Sequence, residues 1–381
     1  MKTAVLGYGV VGKGVCDMIE ASPELELVSI LVLKGEDTQE KMVTDIESIV
    51  GDKSIQAVAE AMGGINFPYE CAVRVLSSGK HFITSNKALV EAKGIELAKL
   101  AEKHKVCFLF SAACCGGVPF LHNLQEATET DEIESFGGIM NGTTNFMLDH
   151  MQRENLNYEE ALKMAQNLGY AEKDPTDDVN GMDAFRKIAL GCAVAFKSMP
   201  KSGVCREGIE NFTKEDVQSI RAMDKVCRLV TKAGKTPNGM YVFVEPRLFS
   251  SISPESAVLD NNNYASYTAK NAGTIRLIGQ GAGRYPTASA VLRDLQRAKF
   301  GNIRMMSPET KEDRANNEEV KQRYYIRTEV SYEYMVPYVE WSVKEGTVKG
   351  ITNPISVSEM HQMAEEIRSE GSKVFFASIE E

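Results

Sequence analysis

The chain has 381 residues, more than one small core needs, and its length points to two or three domains. Charged residues make up 25% and apolar ones 43%, the balance of an ordinary globular protein. Acids outnumber bases 53 to 43 for a net charge of −10, so the cationic surplus that a nucleic-acid surface needs is missing. No apolar run of roughly 18 residues is present to span a bilayer. The nearest, Val106 to His122, is interrupted by Gly116, Gly117 and Pro119. The start, Met1-Lys2 followed by apolar residues, is too rich in glycine (Gly7, Gly9, Gly12, Gly14) for a signal peptide, and no small-residue cleavage site follows. The eight cysteines form no C-x-x-C pair, and the five histidines have no zinc-like spacing to them. A cytoplasmic protein with reduced thiols and no transition metal is the reading.

In chain order, Thr3–Leu6, Leu27–Leu33, Ala57–Ala61, His81–Thr84 and Val106–Phe110 read as buried strands. The segments 13–21, 69–77 and 89–104 between them read as helices, and this alternation predicts a parallel sheet over residues 1–130. Beyond 130 the pattern is mixed. A strand is predicted over 133–140, a turn over Asn141-Gly-Thr-Thr-Asn145, and a helix from 146 to 153. A helix over 158–168 closes at Gly169, and an acidic loop, Glu172–Asp178, leads into a helix over 183–196. Strands near 241–247, 266–269 and 274–279 precede a glycine-rich turn from Gly281 and a helix over 288–298. An α+β second domain over 131–286 follows from this change of pattern. The polar stretch 307–322 reads as a linker. The remainder, 323–381, reads as strand (323–329), short helix, strand (347–351), helix (358–369) and strand (373–379).

Gly7-Tyr-Gly9-Val-Val-Gly12 sits between a strand and a helix at the N-terminus, the setting in which G-x-G-x-x-G binds a dinucleotide. The first glycine makes the turn, the second lets backbone approach a pyrophosphate, and the third brings helix against strand. The helix end then offers free amides and a positive dipole to the phosphates. Lys34, past the second strand, leans toward the extra phosphate of NADP, while Glu36 and Asp37 lean toward NAD; a solvated turn lysine is the plain alternative.

Asp183 and Lys187 are four apart and share one helix face, where an intrahelical ion pair is the plain alternative to a catalytic role. Ala184, Ile188, Ala189, Leu190, Ala193 and Val194 surround them, so the face is expected to be buried. A buried lysine is expected to have a lowered pKa and to exchange a proton near neutrality, as a dehydrogenase acid/base does. The acids Glu172, Asp174, Asp177 and Asp178 ahead of this helix suit its dipole and would equally suit a substrate ammonium. Lys87 lies just past the strand 81–84, at the carboxyl edge where parallel sheets place ligands. Cys114 and Cys115 are read as small side chains filling a tight turn in preference to nucleophiles.

Taken together, LGYGVVGKGV, EAMGG (Glu60–Gly64), TSNKALV, GGVPF, GIMNGTTNFML, LGYAEKDPTDDVNGMDAFRKIA and GQGAGRYPTASAV resemble homoserine dehydrogenase over residues 1 to about 300. The resemblance implies a Rossmann-type nucleotide-binding domain (1–130, with 287–306 returning to it), an α+β substrate and dimerisation domain (131–286) and, after the linker, an ACT-like module (323–381). It implies NAD(P)-dependent interconversion of L-homoserine and L-aspartate 4-semialdehyde in the biosynthesis of threonine, methionine and isoleucine, by a homodimer or higher homo-oligomer. Lys187 is then the proton donor and acceptor, with Asp183 and Lys87 beside it. Glu172, Gly169, Asp178 and Asp183 hold the substrate. Gly7, Gly9, Val10, Val11, Gly12, Lys34, Gly63, Lys87 and Gly281 hold the cofactor. The carbonyls of Cys114, Gly116 and Val118 are the implied ligands of a monovalent cation (Na+ or K+), although Ser111 stands where the family usually has a glutamate. Leu33-Lys34 also departs from the frequent Arg-Asp, and 323–381 lacks the usual Asp/Gly turn. The alternatives are a dehydrogenase of another hydroxy amino acid and a non-catalytic nucleotide-binding sensor.

Overall fold

The structure, a computed structural model, describes every residue except 37, 302, 330–338, 345–346 and 381, and only the backbone of 339–344. The first part alternates strand and helix: β1 (Lys2–Leu6), α1 (Val10–Glu20), β2 (Glu26–Leu31), β3 (Met42–Val43), α2 (Glu47–Val50), β4 (Ala57–Glu60), α3 (Asn66–Ser77), β5 (His81–Thr84), α4 (Lys87–His104) and β6 (Phe108–Leu109). The six strands form one parallel sheet in the order β3-β2-β1-β4-β5-β6. Strand order reverses on either side of β1, which opens a crevice at the carboxyl ends of β1 and β4. The strands are short apolar runs because the sheet is covered on both faces: Ala4, Val5, Leu6, Val58, Phe82 and Ile83 are all fully buried. Asn86 starts α4 by accepting from the Leu89 amide at 3.0 Å.

A 3-10 turn, Ser111–Ala113, and α5 (Phe120–Thr130) lead into β7 (Ile133–Ile139). There follow α6 (Gly142–Glu154), α7 (Tyr158–Asn167), α8 (Thr176–Val179), α9 (Met182–Phe196), β8 (Ser198–Ser202), β9 (Cys205–Arg206) and α10 (Lys214–Ala222). The long strands β10 (Lys225–Thr236), β11 (Gly239–Ser250), β12 (Asn262–Ala269) and β13 (Gly273–Gln280) complete an antiparallel core ordered β13-β12-β7-β10-β11. Helix α9 packs on β7, β10 and β11 and carries its middle almost wholly buried. Next, α11 (Arg284–Ala298) crosses back to the first sheet and packs on α1, β4 and β5.

The segment NGTTN is the start of α6, not a turn. The Asn141 side chain accepts from the Thr144 amide at 2.8 Å, so it caps the helix that the following residues continue. The polar stretch 307–322, which its composition presents as a linker, is likewise tied down. It holds β14 (Lys311–Arg314), paired with β8, and β15 (Lys321–Gln322), paired with β19 (Ile355–Ser356). Between them the buried Asn317 side chain bonds the Val242 backbone at both N–H and C=O. Backbone pairing needs no apolar side chains, so composition alone missed it.

The last part comprises β16 (Tyr324–Thr328), β17 (Val339–Lys344), β18 (Thr347–Thr352), α12 (Val357–Ser369) and β20 (Val374–Ile379). Its strands run in the order β20-β16-β18-β17, that is fourth-first-third-second, and join the large sheet where β20 pairs in parallel with β11. The short helix expected between 329 and 347 has strand β17 in its interval, and the rest of that interval, 330–338 and 345–346, lies outside the described residues. A buried ion pair fastens this part to α10: Arg327 Nε lies 2.8 Å from Asp216 Oδ1, and the Tyr325 hydroxyl donates to the same oxygen at 3.1 Å. Among the described residues no helix is long and apolar enough to cross a membrane.

Asp216→Ala removes the only carboxylate on the buried Arg327 among the described ion pairs. The variant is expected to lose about 3–5 kcal/mol of stability in urea denaturation. An unchanged unfolding midpoint would show that the pair does not hold the C-terminal part in place.

Candidate active site

The carboxyl ends of the first sheet face the start of α6, the loop before α9 and the turn before α11 across a cleft of about 860 Å³. Lys87, Gly116, Gly169, Glu172, Asp178, Asp183, Lys187 and Gly281 all line it, so residues from widely separated segments converge. Val11 also lines it, from the first turn of α1, and through it the dinucleotide crevice opens into the cleft.

Asp183 occupies the first turn of α9, and each of its oxygens holds a lysine. Lys187 Nζ lies 2.7 Å from Oδ2, and Lys87 Nζ, from the start of α4, lies 2.7 Å from Oδ1. Lys187 also donates to the Met140 carbonyl at 2.6 Å. Burial pushes the Asp183 carboxyl up, but the Lys187 and Lys87 charges outweigh it and hold the group well below the usual carboxylate range. For Lys187, burial pushes the ammonium down and the Asp183 carboxylate lifts it above the usual lysine range. The lowered lysine pKa expected from burial alone is therefore corrected: the ion pair wins, and Lys187 stands as a buried ammonium.

Asn141 joins this pair to the acidic loop. Its Nδ2 donates to Asp183 Oδ2 at 2.8 Å and to Asp178 Oδ1 at 2.6 Å, while its Oδ1 caps α6. Burial raises the Asp178 carboxyl above its ordinary range; the Asn141 bond opposes the rise and the Asp183 charge adds to it. Glu172 and Gly169 stand on the exposed side of the cleft. Thr143 Oγ1 donates to the Tyr170 carbonyl at 2.7 Å and pins the loop that carries them.

A second network holds the cap of α4, next to Lys87. Glu60, fully buried at the end of β4, accepts from the Met62 amide at 2.6 Å and from the Thr84 hydroxyl. Burial lifts its carboxyl to about 7 against these hydrogen bonds. Thr84 accepts from the Asn86 amide at 2.9 Å, and Asn86 Nδ2 donates to the Gly64 carbonyl at 2.8 Å. The loop Ala61–Gly64 and Asn86, the cap of α4, are thereby set against each other.

The first glycines fit a pyrophosphate. A Cβ on Gly12 would lie 2.1 Å from the Gly7 carbonyl oxygen, so only glycine lets α1 seat on β1. A Cβ on Gly9 would meet nothing within 4 Å, which leaves open space above the turn. No side chain caps α1 and no acid stands in its first turn, so its amides are free for an anion. Val10 is 70% exposed beside them. Gly63 and Lys34 are exposed, on the loop after β4 and at the turn after β2, outside the cleft itself.

In the expected cation loop Ser111 has a partner of its own. Ser111 turns to Asp294, donating from its amide and its hydroxyl at 2.8 Å each. The Val118 carbonyl already accepts from the Phe120 amide at 2.8 Å. Among the described residues the one cluster with metal-ligating atoms close together is Asp149, His150 and Asp260. There Arg228 and Arg153 already neutralise Asp149, at 3.3 and 2.9 Å.

Sequence reasoning missed Asn141, the Met140 carbonyl and the Glu60–Thr84–Asn86 network. The first two lie in the NGTTN region, where a cap signal (Asn followed by helix-forming residues) was open to reading; Glu60 looked like the end of an apolar strand. As it stands, the cleft pairs a dinucleotide turn with a buried ammonium and an acidic rim. It can hold a cationic small molecule and hand a proton to an oxygen on it.

Comparisons with known proteins agree on one family. Residues 7–111 match the family model described as homoserine dehydrogenase, NAD binding domain, and residues 119–296 match that described as homoserine dehydrogenase. The homoserine dehydrogenase of Lactococcus lactis is 32% identical over 350 residues, covering 86% of this chain and 82% of that protein. That of Bacillus subtilis is 33% identical over 321 residues, 80% of this chain and 74% of the relative. The crystal structure of a homoserine dehydrogenase from Thiobacillus denitrificans superposes with a TM-score of 0.86 at 28% identity, covering 100% of this chain and 98% of that one. With both models matched in order and relatives above 30% identity along most of its length, the chain belongs to the homoserine dehydrogenase family.

Proposed function

We propose that the protein interconverts L-homoserine and L-aspartate 4-semialdehyde, a step of aspartate-family amino-acid biosynthesis. The observation that carries this is Lys187, held as an ammonium by Asp183 inside the cleft that opens onto the dinucleotide turn. The nicotinamide cofactor, when bound, gives or takes the hydride. Gly7, Gly9, Val10, Val11 and Gly12, with the free amides of α1, would hold its pyrophosphate. In the reducing direction Lys187 donates its proton to the aldehyde oxygen as the carbon is reduced; in the oxidising direction it must first be neutral to accept one. The carboxylates of Asp183, Asp178 and Glu172, with the backbone at Gly169, take the substrate ammonium. Lys87 would stand between substrate and cofactor, and Gly63 and Gly281 are further backbone positions that would meet the cofactor.

The cofactor is NADP or NAD: the exposed Lys34 favours a 2′-phosphate, and Glu36 beside it opposes one. A monovalent cation on the carbonyls of Cys114, Gly116 and Val118 would have neutral oxygen ligands only, since Ser111 is committed to Asp294. Residues 1–130 with 287–306 are read as the nucleotide domain, 131–286 as the substrate domain, and 323–381, on its strand order, as the ACT-like module. The edge strand β13, with Ile275 and Ile278 exposed, supports a homo-oligomer. A cytoplasmic location goes with the biosynthetic role.

The experiment is absorbance at the reduced-nicotinamide band after adding L-homoserine with NAD or NADP. Homoserine-dependent reduction is expected, rising with pH from neutral into the alkaline range because the raised Lys187 must lose its proton. Lys187→Ala should cut turnover by about 10²–10⁴-fold with little change in cofactor binding. No reduction with either cofactor, from protein that still binds one, would turn the reading to another hydroxy amino acid or to a sensor.

Gly9→Asp separates cofactor binding from folding. Gly9 has extended backbone and free space for a side chain, and Asp is a good helix cap, so the melting temperature should hold or rise slightly. Its carboxylate would face the pyrophosphate, and cofactor affinity should fall by more than about tenfold. Unchanged affinity would remove the α1 end from the cofactor site.

A further inference from the structure

Two consecutive thiols stand in the wall of this cleft without a part in the reaction. Cys114 and Cys115 link the turn Ser111–Ala113 to Gly116, and both are fully buried. Cys115 lines the cleft alongside Lys187 and Asp183. Consecutive side chains on extended backbone point to opposite sides. Here Cys115 has a φ of 57°, and the two sulfurs lie 3.6 Å apart. Cys114 Sγ is 3.8 Å from the Lys187 carbonyl oxygen, so the pair backs directly onto the helix turn that carries the ammonium. The other six cysteines form no such sulfur pair among the described residues.

We propose that Cys114 and Cys115 form a dithiol site that binds trivalent arsenicals and thereby blocks the cleft. Distance decides between the ways two thiols can be bridged. A disulfide would require the sulfurs to close from 3.6 Å to about 2.0 Å, with Cα atoms only about 3.8 Å apart. That spacing is below the usual disulfide range, so the bond would be strained. One atom bound to both sulfurs needs no such closure. With bonds of about 2.3 Å, as in zinc thiolates, sulfurs 3.6 Å apart subtend about 100° at the bridging atom.

The ligand count then selects the bridging atom. Among the described residues no histidine, carboxylate or third cysteine joins this pair in a metal-ligating cluster, so a four-coordinate ion such as zinc would be half served. An arsenoxide brings its third substituent with it. Both S–H bonds break and two As–S bonds form; the two protons leave with the arsenoxide oxygen as one water, and arsenic stays trivalent throughout. Because Cys115 belongs to the lining of the cleft, the added group would take up space beside Lys187 and Asp183.

The test is intact-mass measurement of the reduced, folded full-length protein after adding phenylarsine oxide. One adduct per chain is expected, with two of the eight cysteine thiols lost. Release should follow a dithiol such as 2,3-dimercaptopropanol and not a monothiol. Peptide mapping of the unaltered protein should find arsenic bridging Cys114 and Cys115, which needs no variant to fold. Cys115→Ser should take up none, and Cys205→Ser, altered at the one cysteine that is not buried, should take up one. No adduct on the native protein, arsenic mapped to other cysteines, or equal uptake by Cys115→Ser would overturn the proposal. These readouts are independent of turnover, so they stand or fall apart from the assigned reaction.

Discussion

Asp183 is shared between two lysines that reach it from different parts of the chain. Lys187 comes from its own helix, one turn on; Lys87 comes from the first residue of α4, beside the crevice of the parallel sheet. Removing charges from water costs several kcal/mol per ion, and a buried pair is rarely kept for stability alone. Here a single buried carboxylate holds one ammonium fully inside and another at the rim. The arrangement fixes where α9 meets the start of α4, and it decides the charge of the group proposed to exchange a proton.

The surroundings elaborate that contact. Met140 and Asn141, at the junction of β7 and α6, supply a carbonyl to Lys187 and an amide to Asp183, so the antiparallel sheet is registered to the ion pair. On the other side, Glu60, Thr84 and Asn86 tie the loop after β4 to the cap of α4, the residue before Lys87. The crevice loop and Lys187 are therefore joined through Asn86, its chain neighbour Lys87, and Asp183. Helix α11 closes the loop by returning to α1, with Asp294 seated under Ser111.

The parallel sheet was legible in the sequence because its strands are buried on both faces and read as unbroken apolar runs. The glycine turn and the Asp183–Lys187 spacing were legible too, since both are local. What escaped the reading depends on partners far away. Strand β10 carries Lys225, Arg228, Lys232 and Lys235 and does not look like a core strand; Arg228 is buried there because Asp149 of α6 receives it. Asn141 reads as a turn residue until α6 and Asp183 are both in place. The sign of the Lys187 shift turns on a local partner instead: Asp183, four residues back on the same helix, outweighs the burial from which a lowered pKa was expected. The resemblance to a known family named the site residues; the geometry adds which of them touch.

The most direct test of this account is the charge of Lys187 itself, followed by NMR on isotope-labelled lysine side chains, with Lys187→Arg used to assign the signal. The account predicts that the Lys187 ammonium persists as pH rises past the ordinary lysine value of about 10.4, and that Asp183→Asn brings its titration down. A Lys187 that releases its proton at or below the ordinary value in the unaltered protein would contradict the central place given to Asp183.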